Sequence, residues 1–269
     1  MKLISQILFF ITFLPSICFS QDVIRLTNGE WAPYLSEHLP HNGVASHIVS
    51  EAFAVVGVKV EYGFFPWKRS FLYAQQGAGA SNEVWNGSLL WIYLPERTED
   101  FLYSDPVVVD SQVLFFLKSA PLDFSVLDDL KGKVLGGTAH TAYPRLQEGV
   151  DKGLFTINRG AGYDSLFKRL FANRIDAIPN VRRVGEFYIR TGLSPRQQGQ
   201  MTSSPTEIEE RTYYLILSKK VAGNKQLITR FNRGLKIIKE NGFYARAFKD
   251  LDAGKYDPVN LHRLKNIKQ

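Results

Sequence analysis

The apolar residues of the first half of the chain alternate between strand and helix spacing. Residues 23–27 predict a strand, and the apolar positions of 44–56 recur at helical spacing until Gly57. A second strand is predicted over 58–64 and a second helix over 67–76, which Gly77 closes. Strand, helix, strand, helix is the order of a parallel sheet with crossover helices. This half therefore predicts an α/β fold.

The same order returns in the second half. Strands are predicted over 133–137, 175–178 and 211–217, and helices from near Thr141 or Tyr143, over 164–171, over 227–238 and over 243–251. No low-complexity linker separates the halves. Two extended segments rich in β-forming residues, 108–115 and 211–217, are therefore predicted to connect them.

These patterns predict two α/β lobes, each a mainly parallel sheet flanked by helices, joined by two hinge strands. The first lobe is predicted to comprise 21–109 with 216–269. The second is predicted to comprise 110–215, with hinge segments at both ends. A ligand would bind in the crevice between the lobes, at the carboxyl ends of the strands, where helix N-termini present free N–H groups. Such a cleft can close by hinge motion.

The first 20 residues have the pattern of a secretory signal peptide. Lys2 is followed by an apolar run over 7–14, which is too short to span a bilayer as a helix, and then by small residues around Cys18. This predicts export to the periplasm. Cys18 is the only cysteine, and a lipoprotein would have it acylated, but the bulky Ile17 before it argues against that alternative. The mature chain must then fold without disulfides, for which roughly 250 residues are enough.

The charge balance limits the kinds of partner that the protein can bind. Once the predicted signal peptide with Lys2 is removed, the chain has 32 Lys and Arg against 26 Asp and Glu, and the cations are dispersed. Dispersed charge suits an anionic small ligand, whereas nucleic acid binding would need a basic face on a recognisable motif. The five histidines lack the spacing of a metal site. We expect a monomer with no metal and no cofactor.

Arg97 is the first candidate for chemistry. It lies between an apolar run over 89–94 and a turn that leads into a second apolar run over 107–116. A guanidinium at this place can donate paired hydrogen bonds to a carboxylate or phosphate. The alternative is an exposed arginine in a surface ion pair with Glu96 or Glu99.

Several short motifs, in this order, resemble the extracellular solute-binding proteins of family 3, which include the periplasmic amino acid receptors of ABC importers. The resemblance covers about residues 23–251. The motifs are Trp31-Ala32-Pro33-Tyr34, Gly43, Pro66-Trp67-Lys68-Arg69, Pro95-Glu96-Arg97, Tyr103-Ser104-Asp105-Pro106, Leu130-Lys131-Gly132-Lys133-Val134 and Asn173-Arg174-Ile175-Asp176. The family fold is the two-lobed, type II periplasmic binding protein fold.

The resemblance implies roles for individual residues. Trp31 takes the position of the aromatic residue that stacks on the ligand, and Trp67 that of a pocket residue at a helix start. Arg97 matches the arginine that binds the ligand carboxylate, while Thr141 and Tyr143 fall at the second-lobe turn that completes this clamp. Each has a structural alternative: Trp31 as a core residue and Thr141 as a helix cap. Arg69 faces either the same cleft or the solvent.

Three departures from the family pattern bear on the ligand. Amino acid receptors usually have Ser or Thr where this chain has Leu90 and Ile92, beside Trp91. The carboxylate that receives the α-ammonium is replaced by Val181, with neutral Asn180 before it, and His140 stands where glycine is common. Trp91 and Asn180 are kept as candidate ligand contacts. A free amino acid is in doubt, whereas a carboxylate or another small polar or aromatic solute is expected.

Three functions follow from the resemblance. The first is a non-catalytic receptor that passes a small solute to the permease of an ABC importer. The second is a sensor input that reports to a membrane signalling protein. The third is an enzyme like the secreted cyclohexadienyl dehydratase, for which Glu30 and Glu186 are the nearest candidate acids, although neither has a recognisable catalytic partner.

Overall fold

The structure, a computed structural model, describes residues 22–139, 141–160 and 162–258. The predicted signal peptide with Cys18, and also His140, lie outside the described residues. The strands are β1 (Asp22–Asn28), β2 (Val58–Phe64), β3 (Gly87–Trp91), β4 (Phe101–Leu117), β5 (Val134–Thr138), β6 (Thr156–Gly160), β7 (Ile178–Val181), β8 (Met201–Ser203) and β9 (Glu209–Ser218).

Helices cover the faces of the sheets. They are α1 (Val44–Ala54), α2 (Trp67–Gln76), α3 (Pro144–Asp151), α4 (Tyr163–Phe171), α5 (Arg182–Gly192), α6 (Pro195–Gln200), α7 (Asn224–Glu240) and α8 (Phe243–Asp252). The α2 prediction is confirmed at both ends, because Gly77 takes the left-handed conformation (φ 73°) that ends a helix. In the described part of the chain no helix is both long and apolar enough to cross a membrane.

One sheet runs through the molecule in the order β2-β1-β3-β9-β4-β7, with β8 also paired to β4. Its β1 pairs are parallel, whereas β4 and β9 are long antiparallel strands. They pair over the two segments that were predicted to connect the halves, for example at Asp110 and Arg211. A second, parallel pair of strands, β5 and β6, stands beside β7 through a bridge between Leu135 and Ala177.

The predicted strand over 175–178 is wrong in position, since β7 covers Ile178–Val181. Ile175 is buried in the core, which produced the apolar signal. Asp176 accepts a hydrogen bond from the Val134 N–H (2.7 Å). The strand therefore starts later than its apolar residues suggest, and it leads directly into α5, a helix that the apolar spacing did not predict.

The buried apolar residues fall into separate clusters along β4. The largest cluster takes its members from 24–108 and 213–256, with Val181 and Val184. Two further clusters on opposite faces of the sheet take theirs from 113–208. This division lies near the predicted lobe boundaries, which stay a prediction. A ligand-binding site is expected between the largest cluster and the two smaller ones.

Candidate functional site

Two of the predicted tryptophans meet at the carboxyl ends of β2 and β3, the two strands that flank β1. Trp67 opens α2 shortly after β2, and Trp91 is the last residue of β3. Their ring centroids are 5.3 Å apart with the planes at 86°. The Trp67 Nε1–H donates to the carbonyl of Glu30 (3.3 Å), which ties this corner to the loop after β1. Both rings are partly exposed.

Trp31 lies in that same loop and is partly exposed. It packs edge-on against Tyr34 and Tyr213, with centroid distances of 5.1 and 5.0 Å. Tyr34 is fully buried and Tyr213 nearly so. One part of the Trp31 ring is therefore packed against the core and the rest is exposed, and its contact with a ligand stays a prediction.

A bulge in β3 decides which way Trp91 points. Leu90 has a positive φ (59°), an uncommon conformation for a non-glycine residue, and the pairing with β9 shifts between Ser88 and Trp91. In a regular strand these two residues lie on opposite faces. Here the Trp91 Nε1–H donates to Ser88 Oγ (2.9 Å). The bulge thus turns the indole to the side of Trp67 and buries Leu90.

Arg97 lies in the short 3-10 helix Pro95–Glu99, directly above this corner. Its Cζ is 4.9 Å from the Trp91 centroid and 5.4 Å from that of Phe71. Its Nη1 donates to the Ile92 carbonyl (3.2 Å). The guanidinium is held on aromatic rings and by a carbonyl, which leaves its positive charge uncompensated and N–H groups free for an anion.

We call the corner of Trp67 and Trp91 with Arg97 the first wall of the candidate cleft. The second wall is the turn after β5. The hydroxyls of Thr138 and Thr141 are hydrogen bonded to each other. Arg159 Nη1 donates to the carbonyls of both residues (2.8 and 2.9 Å). The buried Tyr143 hydroxyl accepts from the Thr138 N–H (3.2 Å). Tyr143 therefore supports the turn from inside, and Thr141 is the member of the predicted pair that lies at its surface.

Arg211 connects the turn after β5 to β9, and the sequence interpretation missed it. Its Nη2 donates to the Ala142 carbonyl of the turn (3.3 Å), and its Nε to Glu209 Oε1 (2.9 Å). Two residues along β9, Tyr213 packs on Trp31. Arg211 and Tyr213 are two positions apart in the predicted strand over 211–217, so strand alternation was the signal that could have placed them on one face.

Asn180 and Arg69 contribute differently from expectation. The Asn180 side chain is buried, with Nδ2 donating to the Tyr163 hydroxyl (3.0 Å) and Oδ1 accepting from the Val181 N–H (2.9 Å). Its amide is thus committed to partners inside the protein. Arg69 is exposed on the first turn of α2, which agrees with its surface alternative.

A buried carboxylate anchors the start of α5 beside the hinge strands. Asp110 on β4 accepts hydrogen bonds from the Tyr34 hydroxyl, from the Ser111 N–H (2.7 Å) and from the Arg183 N–H (3.3 Å). Arg183 Nη1 also lies 3.9 Å from Asp110 Oδ1. Burial, and after it the charge of Asp110, raises the pKa of Tyr34. Tyr34 therefore stays the donor in this network.

Glu30 is half-buried behind the tryptophans, and burial raises the pKa of its carboxyl group. Oε1 accepts from the Glu37 N–H (3.0 Å). Glu30, Glu37 and His38 bring possible metal-ligand atoms within 4.8 Å of one another, but Glu37 and His38 are exposed. Glu37 forms an ion pair with His38 (3.6 Å). Glu37 and His38 therefore form a pair at the protein surface, beside the half-buried Glu30.

Solved structures share this fold at low sequence identity. Substrate-binding domain 2 of Lactococcus lactis GlnP, in an open conformation, is 20% identical with a TM-score of 0.63, over 86% of this chain and 96% of that chain. A histidine kinase sensor domain similar to periplasmic binding proteins is 16% identical with a TM-score of 0.64, over 86% of this chain and 96% of that chain. An ancestral amino acid-binding protein, a precursor of cyclohexadienyl dehydratase, is 16% identical with a TM-score of 0.62, over 85% of this chain and 95% of that chain.

No protein-family model matches the sequence, and no curated protein matches it either. The likeness to solved structures shows the fold: this chain has the two-lobed α/β fold of periplasmic solute-binding domains. The predicted fold class is confirmed, and so is the structural resemblance on which it was based. The roles of the individual site residues stay predictions.

Proposed function

We propose that this protein is a periplasmic receptor that traps a small solute between its lobes and passes it to the permease of an ABC importer. The observation that carries the proposal is the corner of Trp67 and Trp91 with the Arg97 guanidinium above it. Aromatic faces and a fixed cation without a carboxylate partner favour a ligand with a flat apolar part and an anionic group.

The proposed mechanism is closure of the lobes over the ligand. The ligand stacks on the tryptophans and pairs with Arg97, after which the turn that carries Thr138 and Thr141 covers it from the other side. The hinge is formed by β4 and β9, and Arg211 keeps the turn in contact with them. Closure excludes water, so both the stacking and the ion pairing become stronger.

The experiment is identification of a bound solute. The protein is purified without denaturation, the small molecules that accompany it are analysed by mass spectrometry, and acids, amino acids and amines are screened by thermal shift. A ligand at about 100 times its dissociation constant should add roughly 2.7 kcal/mol of stability. If no small molecule stabilises the protein, the receptor proposal is wrong.

Sensing is the second candidate, because a histidine kinase sensor domain shares the fold. The same ligand cleft would then report to a membrane signalling protein. The genes encoded beside this one separate the two roles: a permease and an ATPase support import, whereas a kinase or cyclase supports sensing.

Binding without catalysis is part of the proposal. A dehydratase needs an acid that can protonate a leaving hydroxyl. Glu30 has the raised pKa of such an acid, but its Oε1 accepts the Glu37 N–H. Glu186, also with a raised pKa from burial, lies on α5 near Arg182 and Asp252. Turnover of prephenate or arogenate by the purified protein would overturn this part.

A further inference from the structure

We infer that the cleft is built for an aromatic carboxylate that has no ammonium group. This inference rests on the proposed receptor function and specifies its ligand. Three properties of the described residues support it: the partly exposed tryptophan rings, two cations that have no acidic partner, and three carboxylates, Asp110, Glu209 and Glu30, that already accept hydrogen bonds inside the protein.

The tryptophans offer rings rather than hydrogen bonds. The Nε1–H groups of Trp67 and Trp91 already donate to the Glu30 carbonyl and to Ser88 Oγ. Their planes lie at 86°, so a flat ring stacked on Trp67 would meet Trp91 at about a right angle. Stacked and edge-on arrangements are both favourable for aromatic pairs.

Each wall carries a cation whose partners are neutral. Arg97 donates to the carbonyl of Ile92. Arg159 donates to the carbonyls of Thr138 and Thr141. Arg211, at the hinge, is neutralised by Glu209 at 2.5 Å. Arg97 and Arg159 therefore favour an anion near them and disfavour a ligand group that brings a positive charge there.

Three carboxylates near the proposed cleft, Asp110, Glu209 and Glu30, already accept hydrogen bonds from groups of the protein. Asp110 accepts from Tyr34, Ser111 and Arg183. Glu209 is paired with Arg211. Glu30 Oε1 accepts from the Glu37 N–H, and burial raises the pKa of the Glu30 carboxyl group.

The end of β7 offers no acid either, since Val181 is buried and the Asn180 amide is bound to Tyr163 and to the Val181 N–H. A primary ammonium taken into this cleft would lose its water, and at the end of β7 it would gain no anionic acceptor. An ion left unpaired in this way is strongly disfavoured.

A quaternary ammonium needs no hydrogen-bond acceptor and also binds to aromatic faces. The position of Arg97 argues against it, because the guanidinium already lies over Trp91 and would repel a second cation. The experiment must therefore separate a deaminated acid, an amino acid and a trimethylated betaine that share one ring and one carboxylate.

The test uses the full mature chain, freed of any bound solute, and calorimetric titration with 3-phenylpropionate, phenylalanine and the trimethyl betaine of phenylalanine. We expect 3-phenylpropionate to bind at least about tenfold more tightly than either nitrogen-bearing ligand, a difference of about 1.4 kcal/mol. Equal or tighter binding of phenylalanine overturns the inference, and so does equal or tighter binding of the betaine.

Two analogues test each half of the ligand. Replacing the ring by cyclohexane (3-cyclohexylpropionate), or the carboxylate by an alcohol (3-phenylpropanol), should each weaken binding about tenfold or more. If either analogue binds as well as the parent acid, the inference is wrong in that half.

Failure of the inference differs from failure of the receptor proposal. If no member of the series binds while another solute co-purifies and stabilises the protein, the ligand class is wrong and the receptor stands. If no solute of any kind binds, both are wrong.

Discussion

The Arg97 guanidinium lies over the ring of Trp91, with 4.9 Å between Cζ and the ring centroid. The two residues come from different elements, and the bulge at Leu90 is what lets them meet. Arg97 is thereby positioned by an aromatic face and a carbonyl instead of the neighbouring Glu96 or Glu99. A cation held without a neutralising partner is suited to receive an anion from outside the protein.

Replacing Arg97 tests the proposed clamp. Arg97→Ala should weaken binding of the identified ligand by about 2–5 kcal/mol, the range for loss of one partner of a desolvated charge pair. Arg97→Lys should lose part of that, because an ammonium cannot donate in the same paired geometry. Calorimetric titration measures both. Arg196→Ala, an exposed arginine on α6, is the control and should bind normally; unchanged affinity of Arg97→Ala would refute the clamp.

Removing the buried carboxylate of Asp110 should destabilise the fold. Asp110→Ala leaves the Tyr34 hydroxyl and the α5 N-terminus without their acceptor and Arg183 without its buried partner. We expect a loss of about 2–4 kcal/mol, measured by urea unfolding.

Asp252→Ala is the matched control for Asp110. Asp252 pairs with the same arginine at 3.3 Å, but its side chain is 52% exposed. A surface pair of this kind contributes about 0–1 kcal/mol. Similar losses for the two variants would show that burial at Asp110 is not what matters.

Two helical glycines should respond oppositely to alanine. A Cβ on Gly234 of α7 would lie 1.8 Å from the Ala52 carbonyl oxygen, so α1 and α7 would have to move apart. Gly199 of α6 has open space around it. We expect Gly234→Ala to cost about 1–3 kcal/mol or more, and Gly199→Ala to be neutral or to stabilise by up to about 1 kcal/mol. Thermal unfolding compares them, and equal effects would contradict the close α1–α7 packing.

The stability of the protein should depend on pH through the stacked pair of His41 and His47. His47 and His41 lie with centroids 3.8 Å apart, and His47 Nδ1 is 2.7 Å from the Tyr256 hydroxyl. Burial, and then the charge of His41, lowers the pKa of His47 from 6.5 to about 4, against an opposing effect of Asp250. The unfolded chain therefore binds this proton first, and stability falls as the pH drops from about 6.5 towards 4.

The size of that loss is up to about 3 kcal/mol, from 1.36 kcal/mol per unit of pKa. Urea unfolding across this pH range measures it. His47→Gln removes the titrating group and should flatten the curve, after allowance for whatever stability the substitution itself costs. An unchanged slope in that variant would assign the pH dependence to other groups.

The sequence by itself determined the α/β class and the main elements of the first half. The residues of β2 and α2 could be predicted to their ends because apolar spacing and the closing Gly77 are local signals. The sequence also singled out Arg97, by its place between two apolar runs, and Trp31 and Trp67, by the resemblance to the family 3 solute-binding proteins.

The tertiary structure decided what those residues do together. The Leu90 bulge, which turns Trp91 towards Trp67, depends on the pairing of β3 with β9, more than a hundred residues later in the chain. The hydrogen bond of Asn180 with Tyr163 and that of Arg211 with Ala142 also join separate segments of the chain. Periodicity reports which face a residue occupies, but only long-range packing decides which side chains share that face, and hence which hydrogen-bonding groups are left for a ligand.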